Sequence, residues 1–201
     1  MRLMPTAMAL LAGCADGSPT PPQPESEQAG ETIYRAGEAP DEIEAHLVRM
    51  KSVIRQDLKI AFDKRCEGIT APDDAFIPIE ITGGGLPELA LSMGLVECNI
   101  GPTVFSGTGG VNVQFWIGSG GPVRLLLEQQ MHGFTPGDGY LQAVQHGATC
   151  PGGAGPDSCI VTYRWNDNGR RLEVASMVLG SDAPMPPAMN YDIEDLTRRS
   201  R

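Results

Sequence analysis

Apolar positions recur along this chain with two different periods. Between Pro40 and Arg65 the residues Ile43, Leu47, Met50, Ile54, Leu58, Ala61 and Phe62 return every three or four positions, which places them on one stripe of an α-helix. Asp41, Glu42 and Glu44 stand near its start and Lys59, Lys64 and Arg65 near its end, a polarity that suits the helix dipole, and Gly68 supplies a stop. His46 lies beside the stripe, where a histidine is more often solvent-facing or satisfied by its neighbours than a ligand. Beyond Thr70 the period falls to two: Ile77, Ile79 and Ile81 alternate with Phe76, Pro78 and Glu80, and Pro78 marks an edge strand because it cannot donate to a ladder. The pattern from Pro87 to Met93 fits either a short helix or an irregular strand, and Leu95 to Ile100 reads as extended.

From Thr103 the alternation continues through closely spaced strands. Thr103–Phe105 and Val111–Ile117 form an expected hairpin, with Val113, Phe115 and Ile117 on one face and Asn112, Gln114 and Trp116 on the other. Val123–His132 and Tyr140–Thr149 form a second around Gly137, with Val123, Leu125, Leu127, Met131, Leu141 and Ala143 inward. Ile160–Trp165 and Arg171–Leu179 form a third, turning at Asn168-Gly169. Short connections make neighbours antiparallel. The expected fold is therefore α+β, one long N-terminal helix packed on a curved antiparallel β-meander of about five to seven strands. A small open β-barrel with a helix is the alternative. This domain spans 40–180, and the proline-containing 181–201 reads as a disordered tail.

The first residues have a different character. Met4, Ala7, Met8, Ala9, Leu10 and Leu11 follow Arg2 as an apolar run far shorter than the roughly 20 residues that cross a bilayer, and Leu11-Ala12-Gly13-Cys14 closes it. This stretch resembles the lipobox of bacterial lipoproteins. The resemblance implies a signal peptide at 1–13, removed on export, and a fatty acyl chain such as palmitate on Cys14, which anchors the protein to a lipid bilayer facing the periplasm. Among such lipoproteins an Asp directly after the cysteine favours the inner membrane. Here Ala15 holds that place, which implies the outer membrane where the cell has one. Residues 14–39, with Pro19, Pro21, Pro22 and Pro24, read as the flexible tether behind the anchor.

Charge and cysteines extend this picture. The chain carries 15 basic and 25 acidic residues, a net charge of −10, and loss of Arg2 with the leader leaves it more acidic still. Such a balance repels phosphate backbones and anionic headgroups, so nucleic acid is excluded as a partner and membrane adhesion falls to the acyl chain. Besides Cys14 there are four cysteines, Cys66, Cys98, Cys150 and Cys159, an even number suited to disulfides in an oxidising compartment. Three connectivities exist, of which locality favours Cys66 with Cys98 and Cys150 with Cys159. The spacing lacks the CxxC expected of zinc sites, so no metal is assigned.

Candidate chemistry gathers on the stretch from Arg124 to Ala148. Its even-numbered positions form a polar face of Glu128, Gln130, His132, Tyr140, Gln142 and His146. With a turn centred on Gly137, His132 falls opposite Gln142 and His146 opposite Glu128, a Glu–His pair able to act as base and orienter. The two histidines then stand about 13 Å apart, too far to share an ion. No HExxH, GxSxG, Walker or Rossmann motif is present, and Gly83-Gly84-Gly85 lacks a following GK[ST] and has Glu88 where a phosphate loop needs lysine. No catalytic residue or cofactor is assigned. The expected function is a membrane-anchored, non-catalytic binding module with an envelope protein as a candidate partner. The alternatives are an envelope hydrolase using Glu128 and His146, and an assembly subunit that uses the helix at an interface.

Overall fold

The computed structural model describes residues 40–101, 105–119, 121–155 and 157–180, with the backbone of 191–192. The leader, Cys14, the tether, most of the C-terminal stretch and the expected strand residues Thr103 and Val104 lie outside the described residues.

The helical stripe forms α1 (Pro40–Cys66), which buries His46, Met50, Ile54, Leu58 and Cys66. Leu47 and Phe62 pack beside them, Ile43 is half-buried, and Ala61 faces solvent. The helix stops where Glu67 takes a left-handed conformation (φ 51°) and the Gly68 N–H donates back to the Asp63 carbonyl, a Schellman-type end. Asn99 completes the cap. Its backbone N–H donates to the Cys66 carbonyl at 3.1 Å and its side chain to the Glu67 carbonyl at 2.6 Å. A Cβ on Gly68 would stand 2.8 Å from the Asn99 amide nitrogen, so the cap needs glycine there.

The strands are β1 (Ile69–Thr70), β2 (Phe76–Ile79), β3 (Glu88–Ser92), β4 (Glu97–Cys98), β5 (Ser106–Gly107), β6 (Gly110–Ile117), β7 (Arg124–Met131), β8 (Gly133–Gly137), β9 (Tyr140–His146), β10 (Ser158–Asn166), β11 (Arg171–Leu179) and β12 (Tyr191–Asp192). Among the described residues they form three antiparallel sheets in an α+β fold, with no closed barrel. A two-stranded ribbon joins β1 and β4. The first large sheet runs β2-β3-β6, with β5 and β7 both paired to β6. The second runs β11-β10-β9-β8-β12. The ambiguous stretch 87–93 is therefore mostly strand, and β2, with its Pro78, is indeed an edge.

Two apolar layers hold the parts together. Leu89, Leu91 and Trp116 pack with Met50, Ile54 and Leu58 of α1. On the opposite face, Ile77, Ile79, Ala90, Val113 and Phe115 pack with Phe134, Leu141, Ala143, Val161 and Tyr163 of the second sheet. At the centre, Phe115 meets Phe134 edge to face with ring centroids 5.1 Å apart. Cys66 bonds Cys98, tying the helix end to the ribbon, and Cys150 bonds Cys159 across the loop between β9 and β10.

The hairpin expected over Arg124–Ala148 is not one hairpin. β7 pairs with β6, the chain turns aside at His132, and only β8 pairs with β9. The reason is a slip in alternation: Met131 and Phe134 are both fully buried although three residues apart. An uninterrupted strand would have put one of them in solvent. The His132 N–H donates to the Val144 carbonyl at 2.8 Å, so it is at this residue that the chain passes from one sheet to the other. A second irregularity between Phe115 and Trp116 leaves Leu125, expected inside, 38% exposed.

Candidate functional site: a polar groove beside a glycine turn

Among the described residues, a concave feature lies where the β5–β6 turn rests on β7. Gly107, Gly109 and Gly110 permit the close approach: a Cβ on Gly109 would stand 2.7 Å from the Gln130 side-chain oxygen, and one on Gly110 would run into the Met131 backbone. Gly110 also has φ +102°, which disfavours any other residue. Beside this turn opens a groove of about 520 Å³ lined by Phe105, Ser106, Asn112, Glu128, Gln129 and Gln130.

Its polar groups are held in place. The Asn112 amide donates to Glu128 Oε1 at 2.6 Å, which fixes the carboxylate, and the Gln130 amide donates to the Gly110 carbonyl at 3.3 Å. Phe105 closes the floor, 6% exposed and edge-on to Phe62 at 5.3 Å. The lining offers a carboxylate, three amides and a hydroxyl, a set that exchanges hydrogen bonds with a polar ligand.

The four residues expected to pair across the polar face, Glu128, His132, Gln142 and His146, are dispersed. Glu128 stands opposite Gln114 in the first large sheet, whereas His146 stands opposite Ser158 in the second, with Gly155 against its ring. The expected Glu128–His146 pairing is therefore corrected: the sheet change at His132 separates them. His132 is half-buried at that junction. Gln142 lies opposite Thr135, not His132, and its amide donates to Thr162 Oγ1 at 3.5 Å. Among the described residues no group of three His, Cys, Asp or Glu side chains could hold a metal ion.

Two buried polar sites escaped the sequence pattern. Gln145 donates to the Tyr163 hydroxyl at 2.9 Å inside the core, where burial raises the phenol's pKa against the opposing effect of that bond. Glu88, 1% exposed, accepts the Ile81 N–H at 2.8 Å and the Thr82 hydroxyl at 2.6 Å, so its carboxylate turns back into the loop that contains the glycine triplet. His46 holds the far end of the same loop, its Nε2–H donating to the Pro87 carbonyl at 3.0 Å. Burial is the main cause that pushes the Glu88 carboxyl up to about 7. The bonds from Thr82 and Ile81 hold it down, and the neighbouring Glu80 adds to the rise.

Comparison of the chain with family models, curated proteins and solved structures finds no match.

Proposed function

We propose that this chain is a lipid-anchored protein of the bacterial envelope whose domain binds another envelope component without catalysing a reaction. The observation that carries the reading is the set of two local cysteine pairs at bonding distance, Cys66 with Cys98 and Cys150 with Cys159, which belong to an oxidising compartment. Leu11-Ala12-Gly13-Cys14 supplies the route of export and the anchor, and Ala15 directs it toward an outer membrane. The groove at Asn112, Glu128 and Gln130 is the contact surface for a polar envelope partner, and the acidic balance disfavours nucleic acid.

Binding is favoured over hydrolysis because Glu128 and His146 belong to different sheets and the groove holds no histidine. Assembly through the helical stripe is disfavoured because Met50 and Ile54 are fully buried within the monomer. A membrane fractionation with a clickable palmitate analogue tests the anchor. The wild-type chain is expected in the membrane pellet and labelled, and Cys14→Ser is expected unlabelled and released. A Cys14→Ser chain that stays in the membrane would show that something other than acylation holds it there.

A further inference from the structure

Asn112 and Gln130 stand directly opposite each other on β6 and β7, and Glu128 lies two residues along β7, opposite Gln114. Alternation puts the three side chains on one face of the sheet, and the 2.6 Å bond from the Asn112 amide to Glu128 Oε1 joins two of them. A carboxylate only accepts, so this bond also fixes which end of the Asn112 amide faces it. Gln130 is held separately, its amide donating to the Gly110 carbonyl. Among the described residues, Glu128 Oε2, Asn112 Oδ1, Gln130 Oε1 and one N–H of each amide make no further hydrogen bond. Three acceptor oxygens and two donor hydrogens are thus left for a ligand in one groove.

We infer that this groove binds a neutral oligosaccharide, with the hydroxyls of a sugar ring set against Asn112, Glu128 and Gln130. The inference rests on the reading of the groove as a contact surface and names the ligand class for it.

The donor and acceptor inventory separates a sugar from other ligands. A hydroxyl donates and accepts at one atom, so neighbouring ring hydroxyls match a carboxylate and amides set side by side. An anion meets Glu128 with like charge, on a chain whose net charge is already −10 and in a groove whose described lining has no basic residue. An ammonium satisfies the oxygens but sets its own donors against the two amide hydrogens. A peptide strand adds to a sheet at its edge, whereas these side chains stand on its face. Beneath them Phe105 supplies an apolar floor, the complement of the C–H side of a sugar ring. The volume of about 520 Å³ lies in the range of small-molecule sites.

The test uses the full chain carrying Cys14→Ser, so that no acyl chain takes part, and follows the side-chain amide signals of Asn112 and Gln130 by NMR. Titration with cellotetraose and with the tetramer of N-acetylglucosamine is expected to shift both signals saturably for at least one of the two sugars. Glu128→Gln, which keeps the shape of the side chain, is expected to weaken that binding about tenfold, because it exchanges charge-assisted hydrogen bonds for neutral ones. Glu97→Gln removes the same charge from an exposed position on β4 and is expected to leave affinity within about twofold. Equal affinity of the parent and Glu128→Gln, or no saturable shift with either sugar, would overturn the proposal. Trilysine is the control ligand. Saturable shifts from trilysine alone would identify a cationic partner and overturn the sugar while leaving the groove a contact surface. That surface is checked separately by crosslinking in intact cells from Gln129→p-benzoylphenylalanine, at an exposed position of the lining. A crosslinked envelope component without any sugar-dependent shift would overturn the ligand class and keep the contact surface, and absence of both would overturn both.

Discussion

Replacing Cys66 and Cys98 together by alanine is expected to lower the unfolding free energy by about 3.5 to 4 kcal/mol, measured by urea denaturation. The cross-link spans 32 residues, and closing a loop of that size removes more freedom from the unfolded chain than the 9-residue span of Cys150–Cys159, for which about 2.5 kcal/mol is expected. Position adds to the entropic effect. Cys66 is the last residue of α1 and fully buried, so its bond holds the helix end against the ribbon on which Asn99 makes its cap. Alanine is the replacement of choice because serine would leave buried hydroxyls at both sites. A double variant within about 1 kcal/mol of wild type would show that Asn99 and the helix-side core suffice to hold that end.

Stability is also expected to fall as the pH rises from about 5 to about 8, and Glu88 is the expected cause. Its carboxyl has a folded pKa of about 7 against an ordinary 4.5, so between those values the folded state holds a proton that the unfolded state has released. The stability attached to that proton is fully present below the unfolded pKa and lost as the pH passes the folded one. A shift of this size corresponds to about 3 kcal/mol. Glu88→Gln keeps an acceptor for the Ile81 N–H and offers an amide to the Thr82 hydroxyl. The variant is expected to match wild type near pH 5 and to exceed it by about 3 kcal/mol near pH 8. Parallel stability curves for the two proteins would remove Glu88 as the cause. Asp73 and Glu173, whose carboxyls arginine partners hold below their ordinary values, act with the opposite sign and only at acid pH.

What the sequence discloses differs from element to element. The stripe through Met50, Ile54 and Leu58 was readable because a helix that covers a sheet on one side must repeat near 3.6 residues, and the strands from Val111 onward because two-residue alternation survives wherever one face is buried. The candidate polar face failed at a single point. Phe134, apolar at an even-numbered position, already broke the alternation that was meant to put Glu128 and His146 on one face, and with Gly133 before it this was the available sign of a sheet change. Glu88 left no such sign, since a lone acidic residue among apolar neighbours reads as an exposed side chain until the loop that bonds it is known. Arginine contacts with the turn after β6 were hidden differently. Overall charge correctly describes an acidic molecule, but it sums over distance, and only the fold brings Arg49 to the Gly118 carbonyl and Arg170 to the Ser119 carbonyl.

The cap at the end of α1 gains a mechanical meaning under the proposed anchoring. Tension entering at Pro40 would act on the helix first, peeling it turn by turn rather than shearing it whole. Each turn would give up one contact layer, Leu47, then Met50, Ile54 and Leu58, and the peeling front would halt at Cys66, where a covalent bond to Cys98 replaces packing. Under such a load the helix would lengthen before the sheets behind it do, and the Cys66–Cys98 bond would set the limit of that extension.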